Sequence, residues 1–157
     1  MTTAPRDIES APRGFARLER DVRVRSISFE QAAADLLAWR VHERAGLRVT
    51  ASDVPAREGT LVELRLGIGP FAISAPCTVL TVIDEPDRRG FRYGTLEGHP
   101  ESGIEEFTVC RAHDGTVTFR IEAVSRPARW YSRICAPLAR LVQERITSRY
   151  LRALSGR

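Results

Sequence analysis

The stretch FRYGTLEGHPESGIEEF, residues 91–107, decides how the chain is read. Phe91 and Tyr93 at one end, and Glu105 and Phe107 at the other, stand on alternate positions, as strand residues sharing one face do. Between them Gly98, His99 and Pro100 supply turn chemistry, so the stretch predicts a hairpin of strands 90–96 and 104–112 joined by Glu97–Glu101. A register that keeps Phe91, Tyr93 and Phe107 on the inner face sets Arg92 opposite Glu106, an opposite-charge pair on the solvent side. The same register sets Tyr93 opposite Glu105, a carboxyl on an otherwise apolar face.

A carboxyl in such a place must be hydrogen-bonded, paired or neutral, and a raised pKa makes it a usable acid or base near neutrality. Two readings of Glu105 stand side by side. Tyr93 satisfies it as a core hydrogen bond, or a bulge turns it outward. Alternatively, both groups converge on a ligand, with Glu105 as general acid or base and Tyr93 as donor to a carbonyl or developing oxyanion. His99 is the third candidate catalytic residue, either a pH-tuned group at a cavity mouth or a solvated hairpin tip.

Working outward, the turn at His113, Asp114 and Gly115 fixes the next register. A three-residue loop with Gly115 left-handed pairs Val109 with Phe119 and Phe107 with Ile121, whereas a two-residue turn would set Phe119 opposite Cys110 and split the core. Period-two patterning extends back to Gly59, with Pro76 expected at an edge or a bulge because it cannot donate to a ladder. Residues 21–27 read as a first strand. Ser28 and Gln31 form a capping-box pattern ahead of a helix whose stripe, Phe29, Ala33, Leu36, Leu37 and Val41, stops by Gly46. At the other end, Ser125 and Pro127 are expected to open a helix carrying Ile134, Leu138, Leu141, Val142, Ile146, Tyr150 and Leu154, kinked or restarted at Pro137.

This order predicts an α+β fold: a curved antiparallel β-sheet wrapped around a long C-terminal α-helix, with an N-terminal helix after the first strand. Residues 1–14 read as a flexible arm and 15–157 as a single domain. Within it Trp39, His42, Phe91, Phe107, Phe119, Ile121, Trp130 and Leu138 are the candidate ligand-binding residues, where helices meet the inner sheet face.

Composition removes whole classes of chemistry. All 24 basic residues are arginine, which excludes Schiff-base chemistry on lysine and a lysine-bearing phosphate loop. Cys77, Cys110 and Cys135 are odd in number, widely spaced and in apolar contexts, so buried free thiols are expected. His42, His99 and His113 show no metal-ligand spacing, and neither a metal nor a cofactor is expected. The first ten residues are too polar for a signal peptide and no apolar run suits a bilayer span, so the expected location is cytoplasmic with no membrane partner. Eight arginines in residues 126–157 face one acid, Glu144. That basic end is either a solvated helix face or an anion-binding surface; the former is favoured, with no nucleic acid partner.

YGTLEGHPESGIEEF, followed by a strand and then SRPARWYSRICAPLARLVQERITSRYLRAL, resembles the family catalogued as domain of unknown function 1990, over Arg23 to Leu154. Ile104, standing between Gly103 and the Glu105–Glu106 pair, departs from the family pattern. By its order of elements the chain also resembles the helix-grip superfamily of START domains, polyketide cyclases and Bet v 1-like proteins. That resemblance implies a small, mainly apolar molecule held between sheet and long helix. Three functions remain in view: acid–base cyclisation, dehydration or isomerisation in such a cavity, binding or carriage without chemistry, and, ranked below both, anion binding by the basic helix.

Overall fold

The computed structural model describes residues 8–9, 11–128 and 136–155, with side chains in the last span described for 144–154. Seven strands form from the alternating segments: β1 (Ala16–Val24), β2 (Arg48–Ala51), β3 (Leu61–Leu66), β4 (Ile73–Asp84), β5 (Arg88–Thr95), β6 (Glu101–Arg111) and β7 (Val117–Pro127). They make one antiparallel sheet in the order β1-β7-β6-β5-β4-β3-β2. On its inner face lie two short helices, α1 (Phe29–Leu37) and α2 (Arg40–Arg44), and the long C-terminal helix α3 (Ala136–Ser155). The architecture is the α+β, helix-gripping sheet that the alternation and the helical stripes demand.

Both registers follow the parity of the inner face. Phe91 pairs with Phe107, Arg92 with Glu106 and Tyr93 with Glu105; Phe107 pairs with Ile121 and Val109 with Phe119. Gly115 has φ +83°, so the turn residue is left-handed, as a three-residue loop requires. Phe91, Phe107, Val109 and Phe119 are fully buried beneath the helices, and Val62, Leu64, Cys77 and Val79 continue that core across β3 and β4. Ser28 caps α1 by accepting the Gln31 N–H at 3.1 Å.

Several local expectations are corrected. The helix expected to run from Phe29 past Val41 breaks at Trp39, whose φ of 64° is left-handed. A tryptophan tolerates that conformation only under tertiary compulsion: its ring is buried against Phe91 and its indole N–H donates to the Asp53 carbonyl at 3.2 Å. β1 starts at Ala16 rather than 21, because Ala16–Val24 pairs residue for residue with Val117–Ser125 of β7. β2 is a short edge strand that its composition does not announce.

Pro76 lies in an interior strand, and the bulge falls between Val79 and Thr81. β5 ends at Thr95, opposite Cys77, so the side on which Pro76 lacks a donor needs none; only its carbonyl is used, accepting the Leu96 N–H at 2.9 Å. Ser125 and Pro127 end β7 instead of opening a helix, since β1 and β6 both extend far enough to pair with Ser125. Pro137 falls in the first turn of α3, where a missing N–H is harmless.

The Arg92–Glu106 pair forms on the outer face as expected, but its carboxylate is buried there. Glu106 is 1% exposed, its carboxylate held by Arg92 at 2.7 and 3.0 Å and by Arg88. The outer face is covered here by those guanidinium stems. Beside it Ile8 packs on Ile104 and Val124, with Phe15 against them. Among the described residues no helix is long and apolar enough to cross a membrane.

Candidate functional site

The inner face of β6 changes character along its length. Val109 and Phe107 are apolar and buried; two residues on stands Glu105, then Gly103, then Glu101. The pleat points all of them the same way, and cross-strand neighbours Tyr93 on β5 and Ala123 on β7 flank Glu105. The Tyr93 hydroxyl donates to the Glu105 carboxylate at 3.2 Å. Ser125 on β7 donates to Glu101 at 2.7 Å, and Thr95 on β5 accepts the Gly103 N–H at 3.0 Å. Gly103 is required where β6 and β7 meet: an added Cβ would lie 2.1 Å from the Val124 carbonyl oxygen. The strands thus gather two carboxyls and three hydroxyls at one end of the inner face.

Electrostatics set Glu105 apart. Burial, and secondarily the neighbouring Glu101, push its pKa up to about 7, against the lowering effect of the Tyr93 hydrogen bond. Glu105 keeps accessible area in the intermediate range. Tyr93 and Tyr150 are raised well above the usual phenol value by burial first and by Glu105 next, and the Cys77 thiol is raised by the same two causes. All three therefore remain protonated near neutrality, and Glu105 is the titrating member of the group.

Behind this end lies a ring cluster. Trp39 from the α1–α2 break and His42 from α2 meet Phe91, Tyr93 and Phe107 from the sheet and Tyr150 from α3, with centroids 4.8–6.1 Å apart around His42. Phe119 and Ile121 are buried alongside. The structure thus brings Glu105, Tyr93, Trp39, His42, Phe91, Phe107, Phe119 and Ile121 to one interior. Trp130 and the Leu138 side chain lie outside the described residues.

His99 does not join the titrating group. It is half-buried, its Nδ1 accepts the Glu101 N–H at 2.9 Å, and burial lowers its pKa to about 4. That bond ties the hairpin tip to the start of β6. An open cleft of 690 Å³ lies elsewhere, between the β1–α1 connection and the β6–β7 turn; Arg23, Glu30 and Arg111 line it, and neither Glu105 nor Tyr93 does.

Sequence reasoning missed Glu101, Thr95, Ser125 and Tyr150 as members of this interior. The signal for two of them was present. Extending β6 by three residues puts Glu101 in phase with Glu105, and Ser125 continues the alternation of Phe119, Ile121 and Ala123. Tyr150 follows only from how α3 lies across the sheet.

Solved structures similar to this chain share its fold. A hypothetical protein of Helicobacter pylori, jhp0584, superposes with a TM-score of 0.73 at 10% identity, over 99% of this chain and 95% of that one. Major latex-like protein 151 of Panax ginseng gives 0.59 at 14% identity, over 91% and 99%. A point mutant of norcoclaurine synthase from Thalictrum flavum, in complex with a transition-state analogue, gives 0.55 at 11% identity, over 87% and 94%. In sequence, a UPF0548 protein of Deinococcus radiodurans is 45% identical over 76 residues, 48% of this chain and 38% of that relative's length. The pattern of the family described as Domain of unknown function (DUF1990) matches residues 2–153, nearly the whole sequence, and the chain belongs to that family.

Proposed function

We propose that this protein holds a small, mainly apolar molecule between the inner sheet face and the C-terminal helix, and that Glu105 carries out acid–base chemistry on it. The observation that carries the reading is the Glu105 carboxyl beside the apolar rings of the inner face, hydrogen-bonded to Tyr93 and raised to about 7. A group balanced near neutrality can take a proton from one position and return it to another. Tyr93, still protonated, would donate to a carbonyl or a developing oxyanion beside it. Proton transfer of this kind serves cyclisation, dehydration or isomerisation without a cofactor. Glu105 remains partly accessible beside the ring cluster, and one protein of the same fold is in complex with a transition-state analogue, which supports the reading.

The test has two stages. Native mass spectrometry of the purified protein identifies the molecule that travels with it, and an environment-sensitive apolar dye reports whether the interior accepts one. Glu105→Gln then keeps size and most hydrogen bonding while removing the titrating proton. Lost turnover of the identified molecule with retained affinity is the expected result. Retained affinity with no turnover in wild type would make the protein a carrier, and unchanged turnover in the variant would remove Glu105 from the mechanism.

A further inference from the structure

The most anomalous side chain in the interior is His42. It is fully buried on α2, and among the described residues neither Nδ1 nor Nε2 has a hydrogen-bond partner. An imidazole carries one donor and one acceptor, and leaving both unmade in a buried site destabilises the fold. Its neighbours do not explain it. Trp39, Phe91, Tyr93, Phe107 and Tyr150 present ring faces and edges that phenylalanine or leucine would meet as well.

A second polar group stands beside it. The Tyr150 ring lies 4.9 Å from that of His42 by centroid, and the Tyr150 hydroxyl makes no hydrogen bond among the described residues. The unpartnered imidazole and the Tyr150 ring therefore adjoin one another on elements facing the sheet. Charge narrows what could meet them. The chain has no lysine, and none of the described arginines is buried, while Glu105 and Glu101 share the inner face. Burial also keeps the imidazole uncharged, with its pKa lowered to about 3.

We infer that His42, with Tyr150, anchors a neutral, ring-sized ligand bearing a hydroxyl group, and that the interior prefers such an alcohol to a carboxylate of the same skeleton. The assignment rests on the pocket reading given above. The ligand hydroxyl donates to the free imidazole nitrogen and accepts from the Tyr150 hydroxyl, and its rings pack against Trp39 and Phe107. A carboxylate would find no buried cation among the described residues and would face two carboxyls of its own sign.

The matched probes are 2-naphthol and 2-naphthoate, titrated against wild type, His42→Phe and Tyr150→Phe near neutral pH. Binding is followed by tryptophan fluorescence and by displacement of an apolar dye, and folding by thermal melts. Wild type is expected to bind naphthol about tenfold or more above naphthoate, and His42→Phe to lose about tenfold for naphthol, the worth of one buried hydrogen bond. His42→Phe is also expected to melt at or above wild type, because it removes an unpaired polar group. Tyr150→Phe deletes a hydroxyl that makes no hydrogen bond among the described residues, and should weaken naphthol with the fold intact. Three results overturn the assignment: equal naphthol binding by wild type and both variants, a wild-type preference for naphthoate, or a His42→Phe variant that melts well below wild type. Failure of wild type to take up either probe or the dye refutes the pocket reading itself and this assignment with it. Uptake of dye and both probes alike, unchanged in the variants, refutes this assignment alone.

Discussion

Glu105→Gln should change the stability of this protein in a way that depends on pH. The folded protein holds the Glu105 proton with a pKa of about 7, against 4.5 for the exposed carboxyl. A raised folded pKa means that the native state binds the proton more tightly than the unfolded chain does. Stability from this group is therefore fully present below 4.5 and is lost as pH rises through about 7. The difference between those values, at about 1.4 kcal/mol per pH unit, gives a ceiling of about 3 kcal/mol. Glu105 keeps some accessible area, which screens the penalty, and about 2 kcal/mol is the expected effect. Glutamine cannot ionise and still accepts from Tyr93, so the variant escapes the loss. Thermal melts followed by circular dichroism at pH 4.5 and 8.5 should show the variant close to wild type at the lower pH. At the higher pH it should melt about 4–8 °C above wild type, as a domain of this size gains roughly 2–4 °C per kcal/mol. Every other titrating group is common to both proteins, so the change in their difference isolates this carboxyl. A gap of the same size at both pH values would refute the burial of an ionisable Glu105 and the acid–base reading that depends on it.

Three further outcomes follow from the same geometry. Gly103→Ala drives a methyl group into the Val124 carbonyl and the Ser125 Cα, 2.1 and 2.6 Å away, and urea denaturation should show a loss of about 3 kcal/mol, the upper end of overpacking costs. Replacing Arg88 and Arg92 together by methionine leaves the Glu106 carboxylate buried without either cation, and the same assay should register about 3–5 kcal/mol. On α3, Arg145, Arg149 and Arg152 are exposed while Thr147, Tyr150 and Leu154 are buried, so a triple glutamine variant should fold normally. Wild type should show no tight binding of labelled nucleic acid or anionic vesicles near physiological salt; salt-sensitive binding that the variant loses would make this helix a functional surface.

The alternation in residues 91–124 was enough, with no coordinates, to specify two strand registers and so to bring Tyr93 against Glu105. It succeeds because a one-residue slip would move every aromatic residue of the inner face into water, a penalty no competing register escapes. The same logic yielded the α+β class, the Ser28 cap and the C-terminal helix. It could not give the break at Trp39. Nothing local favours a left-handed tryptophan there; its packing on Phe91 and its bond to Asp53 compel it. Nor could it show that β7 runs on to Pro127, because Ser125 and Pro127 are good helix-start residues until β1 and β6 arrive to claim their backbone. Arg92 opposite Glu106 was legible as a pair, but its burial was not, since a period of two says which face a residue takes and not what covers it. The unpartnered state of His42 is the most tertiary fact of all: it exists only where one turn of α2, three rings from two strands and Tyr150 of α3 close around the same imidazole.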